Sequence, residues 1–317
     1  MATRATVLRS TLGACAAGAF FAGERTIVAA QSPVAVKFGT GNVEANAQGF
    51  YALDQGFFKK NGIDAEVTIL RSGSVTMQSI LSGQLHVGVG NTVSLALALL
   101  RNIPFMLIAP GALWDARAPY GALIIATANS PIKTPKDLAG QTLGVTSLNS
   151  VDQVAYETYL DQNGVDRSTV KYVELVPSAM AEAVATGRAA VGVQNDPELG
   201  TALASGRVKR LASAYDSISK LFLITGWMTT RDWLEKNKEV AKRFADAIIV
   251  AGEWGESHRP QAMDILEKYT KFRSDKSVAL FGRKLDPALV QAVWDPAAKY
   301  KIISGPLKAT DYCWDGK

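Results

Sequence analysis

The sequence predicts an α/β protein made of two similar lobes joined by two crossing strands. Three observations lead there. Residues 74–91 and 178–195 echo each other at an offset of 104 residues: Ser74 meets Ser178, Ser82 meets Thr186, Gly83 meets Gly187, Val87-Gly88-Val89 meets Val191-Gly192-Val193, and Asn91 meets Asn195. The echo extends upstream, where Asn61-Gly62-Ile63-Asp64 precedes the first copy and Asn163-Gly164-Val165-Asp166 the second. No Pro/Ser-rich linker separates the halves, so two extended apolar segments, Tyr120–Ile125 and Leu221–Met228, are expected to cross between the lobes as a pair. Residues 31–121 with 227–317 then form one lobe and 122–226 the other. Helix–glycine–strand is common in α/β proteins, but the order and spacing of several matches favour a true structural repeat.

Composition bounds the class. The chain has 317 residues, 48% of them hydrophobic and 20% charged, which is ordinary for globular domains and enough for two cores. The net charge is +5 and the pI about 9.1, with no Lys/Arg cluster interleaved with aromatics, so nucleic acid is not an expected partner. Residues 1–30 read as a signal peptide: Arg4 and Arg9 precede an apolar run from Thr11 to Gly23, and Val28-Ala29-Ala30 places small residues at a cleavage site before Gln31. Leu12-Gly13-Ala14-Cys15 weakly resembles a lipidation box, but most of the apolar run follows Cys15, which disfavours anchoring. After cleavage Cys313 is the one cysteine left, so no internal disulfide forms, as suits a bacterial periplasm. Val93–Leu113 is apolar but interrupted by Arg101, Pro104 and Pro110, and reads as a buried helix and strand.

In chain order, Val34–Gly39 is the first strand. A helix follows over 45–60, with Phe50, Leu53, Phe57 and Phe58 near one face as core, and Asn61-Gly62 ends it. After a strand at Val67–Leu70, the turn Arg71-Ser72-Gly73-Ser74 opens a helix, either as an anion cradle or as a simple cap at Ser74. Gly83 and Gly187 sit where left-handed C-caps are wanted. The apolar Val-Gly-Val strands then lead to Asn91 and Asn195. In open α/β sheets ligands bind beyond the carboxyl ends of strands, so these two asparagines mark a cleft between the lobes. Thr92 opens the helix to Leu100, Phe105–Ala109 is a strand, and Pro110–Asp115 is a loop at its carboxyl end.

The second half begins with a strand at Gln141–Val145. Thr146-Ser147-Leu148-Asn149-Ser150 follows and precedes a helix from about Val151, with Ser150 and Gln153 matching a capping box. This polar turn at a helix N-terminus is the best anion-facing candidate. Thr230 caps a helix, and Val240, Phe244, Ala247, Ile248, Ala251 and Trp254 form the buried stripe of another over 238–257.

Gly49-Phe50-Tyr51-Ala52-Leu53-Asp54-Gln55-Gly56-Phe57-Phe58-Lys59-Lys60-Asn61-Gly62-Ile63 resembles the GFFKK stretch of substrate-binding proteins of ABC importers, in the nitrate/sulfonate/bicarbonate and thiamine-pyrimidine-precursor branch. Ser130-Pro131-Ile132-Lys133-Thr134-Pro135-Lys136-Asp137-Leu138-Ala139-Gly140-Gln141 resembles the stretch that leads into that family's second lobe. The resemblance spans roughly residues 34–270. It implies the two-lobed type II fold of periplasmic binding proteins, a small-molecule ligand and an ABC permease partner in the inner membrane. His86 and Ala190 stand where the family often has Asp, and Asn195-Asp196-Pro197 replaces its Trp-x-Pro, so ligand identity does not carry over.

The expected function is solute binding by hinge closure, by a monomer in the periplasm. The candidate ligand residues are Asn42, Ser72, Ser74, Asn91, Thr92 and Trp114 with Thr146, Asn149, Ser150, Asn195 and Asp196. Hydroxyls and amides at helix N-termini favour a sulfonate or carboxylate; Asp196 and Glu44 would instead suit an amine or a nitrogen heterocycle. An enzyme on this scaffold is the competing class. It finds little support: His86, flanked by Leu85 and Val87, reads as packed in a strand, and no nucleophile motif, metal cluster or cofactor motif is present, so no catalytic residue and no cofactor is assigned. A ligand-sensing regulator would need a DNA-binding helix pair where the export signal lies.

Overall fold

A computed structural model describes residues 33–70, 72–118, 122–195, 198–213, 215–271, 273 and 279–317. The signal segment, Cys15, the cleavage site before Gln31, Arg71 and Asp196 lie outside the described residues.

The chain opens with β1 (Val34–Thr40) and a tight turn at Glu44–Asn46. Where one helix is expected there are two, α1 (Gln48–Asp54) and α2 (Phe57–Lys60), because Gly56 takes φ +70° between them. Next come β2 (Ile63–Ile69), α3 (Gly73–Leu81), β3 (Val87–Asn91), α4 (Thr92–Leu100) and β4 (Phe105–Pro110). Gly83 at φ +75° and Gly187 at φ +77° follow the helices of the two repeats, in the left-handed conformation their places predict. The expected loop at Pro110–Asp115 contains a strand, β5 (Ala112–Asp115). The second half runs β6 (Ala122–Thr127), β7 (Thr142–Val145), α5 (Val151–Gln162), β8 (Lys171–Glu174), α6 (Pro177–Ala185), β9 (Val191–Asn195), α7 (Glu198–Ala204) and β10 (Val208–Ala212). The chain then returns through β11 (Leu221–Leu223) and β12 (Thr225–Thr230), and ends with α8 (Arg231–Lys236), α9 (Lys238–Ser257), α10 (Arg259–Thr270), β13 (Leu280–Phe281) and α11 (Pro287–Lys299).

Two five-stranded sheets share one plan. Their orders are β2-β1-β3-β12-β4 and β8-β7-β9-β6-β10, each with three parallel strands followed by an antiparallel one. Even the register repeats: Gly39 pairs with Gly88 and Gly144 with Gly192. A Cβ on Gly88 would lie 2.3 Å from Thr76 of α3, and one on Gly192 would lie 2.4 Å from Met180 of α6. The glycines of the Val-Gly-Val echoes therefore let a helix settle directly onto the sheet in each half.

The crossing strands differ from expectation. The paired segments are β5 and β11, with Trp114 opposite Phe222 and Leu113 opposite Leu223, and β13 completes this third sheet. Residues 122–127 belong to the second sheet and 225–230 to the first, so these two do not pair. The chain changes sheet at Gly111 and Thr225. Gly111 donates its N–H to the Thr225 carbonyl at 3.0 Å, and a Cβ there would sit 2.3 Å from the Thr225 hydroxyl, so both strands leave the first sheet at one crowded point.

The first lobe's core is aromatic. Phe38, Phe58, Trp227 and Phe244 pack with centroids 5.1–6.0 Å apart, and the Trp227 indole donates to Gln48 at 3.0 Å, so its one polar atom is satisfied. Phe50 and Phe58 are fully buried as expected, while Leu53 and Phe57 are partly so. Helix α9 buries Phe244, Ala247, Ile248 and Ala251 of the predicted stripe and leaves Val240 and Trp254 at its edges.

Candidate ligand-binding cleft

A cavity of about 150 Å³ lies where the carboxyl ends of β1 and β3 meet those of β7 and β9. An engineered cavity of about that size holds one benzene-sized molecule, so the space suits a small ligand and not a chain. The first-lobe wall is Asn42 and Asn46 after β1, Ser72, Gly73 and Ser74 at the head of α3, and Asn91 and Ser94 at the head of α4. The second-lobe wall is Thr146, Ser147, Ser150, Asp152, Pro177 and Asn195. Tyr215, in a short helical turn before β11, and Ile224 and Thr225, where β11 gives way to β12, close it.

Local sequence explains the first wall. Ser72, in extended conformation, caps α3 by accepting the Val75 N–H at 3.5 Å, and its hydroxyl bonds that of Ser74 at 2.9 Å. The cap is thus Ser72 and not Ser74. Asn91 caps α4, accepting from Val93 at 2.9 Å, which turns the end of β3 into the helix and leaves Ser94 one turn on, at the cavity.

The second wall departs from expectation. The Ser150 hydroxyl does not cap α5; it donates to the Ser147 carbonyl at 2.6 Å, and Gln153 accepts the Asn149 N–H at 2.9 Å. The group that organises the turn is Asp152, only 2% exposed. Its carboxylate accepts the Thr146 N–H at 2.9 Å, the Thr146 hydroxyl and the Tyr215 hydroxyl. Glu174 accepts the Leu148 N–H at 3.0 Å. Three of the five amides in the turn are therefore bonded to the protein's own side chains, and the turn is a weaker anion cradle than its sequence suggests.

Of the predicted residues, Asn42, Ser72, Ser74, Asn91, Thr146, Ser150 and Asn195 line the cavity. Three do not. Thr92 is fully buried, and its hydroxyl donates to the Leu223 and Ile224 carbonyls at 3.2 and 3.3 Å, tying α4 to the returning chain. Trp114 is 3% exposed within the crossing sheet and donates its indole N–H to Asp216 at 3.1 Å. Asn149 is exposed on the outside of its turn at φ +54°. Glu44 is not a ligand group either: it is fully buried and paired with Arg259 at 2.6 Å. Asp152, Tyr215, Ser94 and Asn46 also line the cavity and are not among the residues expected from sequence. An acid in the first turn of a helix is a signal that could have found Asp152; Tyr215 has no local signal.

Among the described lining residues Asp152 is the one charged side chain, and none is Lys or Arg. His86 precedes β3 at the end opposite Asn91. It is half-buried instead of core, accepts the Lys37 N–H at 3.2 Å and stacks on Trp233 at 5.7 Å; partial burial and nearby Lys37 hold its pKa below the ordinary value. No helix among the described residues is long and apolar enough to cross a membrane.

Two α/β lobes of matching topology, a crossing pair of strands and a polar cleft at the strand ends make this the fold of periplasmic binding proteins. The chain belongs to the NMT1/THI5-like family, whose profile matches residues 45–258. Similar solved structures include the periplasmic aliphatic sulphonate binding protein SsuA from Escherichia coli (TM-score 0.73, 18% identity, 89% of this chain and 98% of that one). The periplasmic nitrate-binding protein NrtA from Synechocystis PCC 6803 is also similar (TM-score 0.71, 13% identity, 88% and 84%). So is the desulfurization enzyme DszB (TM-score 0.65, 15% identity, 88% and 96%). A Brucella abortus (strain 2308) protein named "Putative binding protein BAB2_1146" is 25% identical over 232 residues, covering 69% of this chain; the chain spans 66% of that relative's length.

Proposed function

We propose that this protein is the extracytoplasmic solute-binding component of an ABC importer. It holds a small organic anion of the sulfonate or carboxylate type between its lobes and delivers it to an inner-membrane permease. The observation that supports this most is the cavity itself, whose polar walls come from strand ends of both lobes. A ligand touching both walls stabilises the closed arrangement by its differential contacts, which is hinge closure. The head of α3 supplies the anion-facing end, with two hydroxyls and the positive end of a helix dipole. The sulphonate- and nitrate-binding neighbours agree with that chemistry. On this reading residues 1–30 are an export signal, the mature chain is a monomer, and the lobes are 31–121 with 227–317 and 122–226. The role is non-catalytic.

A second reading, an amine or nitrogen heterocycle as ligand, is favoured by Asp152, the carboxylate in the cavity wall. A thermal-shift panel of alkanesulfonates, carboxylates, nitrate and pyrimidines decides between them. A shift with the anions, reduced about tenfold in affinity by Ser72→Ala, supports the first. Shifts confined to cationic or N–H-rich compounds, lost in Asp152→Asn, support the second, and conversion of any bound compound overturns both.

A further inference from the structure

We propose that Tyr215 is a positioning residue that ties the ligand cavity to the angle between the lobes. In the chain, β5 of the crossing sheet is followed by β6 of the second sheet, and β10 of the second sheet is followed by β11 of the crossing sheet. The short helical turn Tyr215–Ser217 lies on that return and grips both sides of the joint. On the second-lobe side, the Tyr215 hydroxyl donates to Asp152 of α5, and the Ser217 carbonyl accepts from Gln162 of α5 at 3.0 Å. On the crossing side, the Tyr215 ring meets Trp114 of β5 edge-on at 5.2 Å and Phe222 of β11 at 5.9 Å, while Asp216 accepts the Trp114 indole N–H at 3.1 Å. Trp114 and Phe222 are directly opposite each other in the register of the two crossing strands.

Tyr215 is 3% exposed, and it lines the cavity. Asp152, which holds its hydroxyl, also accepts the N–H and the hydroxyl of Thr146, another wall residue. A ligand that bonds Thr146 or Asp152 therefore acts on the very group that orients Tyr215. A change in lobe angle taken up between the crossing sheet and the second lobe must either slide the ring across the Trp114–Phe222 pair or stretch the bond to Asp152. Packed aromatic contacts of this kind resist continuous sliding and favour discrete arrangements. The hydroxyl–carboxylate bond thus selects one lobe angle, and ligand contacts reinforce or oppose that choice.

The inference rests on the cleft being the ligand site, so its test has one arm that needs no ligand. Small-angle scattering of the ligand-free full chain compares wild type with Tyr215→Phe, which keeps the ring and removes only the hydroxyl. Asp152→Ala, which removes the acceptor, is the second variant should the first fail to fold. Both are expected to shift the radius of gyration from that of wild type while melting cooperatively, and the double variant is expected to match Asp152→Ala, since the Tyr215 hydroxyl acts through its bond to Asp152. With ethanesulfonate as probe, Tyr215→Phe is expected to bind about two- to tenfold more weakly. Scattering curves of both variants identical to wild type overturn the proposal. If wild type does not bind ethanesulfonate, the proposed ligand class fails, and the scattering comparison still decides the role of Tyr215.

Discussion

Replacing Gly88 by alanine tests the reason for the Val-Gly-Val echo. The new Cβ would lie 2.3 Å from the Thr76 methyl and 3.1 Å from Ile80, both well inside ordinary contact. Thr76 cannot easily yield. It is 2% exposed and β-branched, and its hydroxyl donates to the Ser72 carbonyl at 3.2 Å, so rotating the methyl away sacrifices that bond. Overpacking of this kind costs about 1–3 kcal/mol, against which alanine recovers about 0.4–1 kcal/mol by restricting the unfolded chain. A net loss of about 1.3 kcal/mol follows, seen as a fall in Tm of about 3 °C or more. Gly192→Ala meets Met180 at 2.4 Å, but an unbranched thioether adapts better, so about 1 kcal/mol is expected there. Combining Gly88→Ala with Thr76→Ser removes the clashing methyl and keeps the hydroxyl, and should restore at least half of the loss. Urea titrations of the four proteins measure this. If Gly88→Ala is as stable as wild type, or Thr76→Ser restores nothing, the close approach of α3 to the sheet is not what the glycine serves. Because Ser72 and Ser74 head that same helix, Gly88→Ala should also weaken binding in the cleft.

Asn149→Ala should leave ligand affinity unchanged, because the residue lies outside the cavity, yet lower stability by about 1 kcal/mol, because alanine tolerates φ +54° poorly; calorimetry and melting curves separate the two. Burial pushes the Cys313 thiol up to about 12, so it should resist a thiol reagent at neutral pH until denaturant is added. Its ordinary value is near 9, so the stability its neutral form contributes is complete below pH 9 and is lost as pH rises toward 12, which alkaline melting curves with a Cys313→Ala control would show. Asp115, at the end of β5, is held down to about 2 by its hydrogen bonds from Arg117. Its contribution is present above the ordinary carboxylate value and lost as pH falls toward 2; a carboxyl resonance titrating near 4 would contradict this.

The duplicated architecture was legible because each signal is local. The αL glycines Gly83 and Gly187, the Val-Gly-Val strands and the asparagines at their ends depend on chain neighbours within one helix and one strand, and the structure repeats them down to register. The same locality explains why Ser72, Asn91, Thr146 and Asn195 could be expected at strand ends, where they now line a cavity. Tertiary contacts decided the rest. The expected crossing pair is Tyr120–Ile125 with Leu221–Met228; Leu221–Leu223 of the second segment does cross, but its partner is β5, in the stretch read as a loop, a pairing between residues about 108 positions apart that no local pattern shows. Thr92 and Trp114 read as cleft residues because polar and aromatic groups near strand ends usually are, but partners more than 100 residues away, at Leu223 and Asp216, draw them inward. Asp152 and Tyr215 lie 63 positions apart. No periodicity links them, and a hydrogen bond between such distant residues exists only once the sheets that carry them have packed.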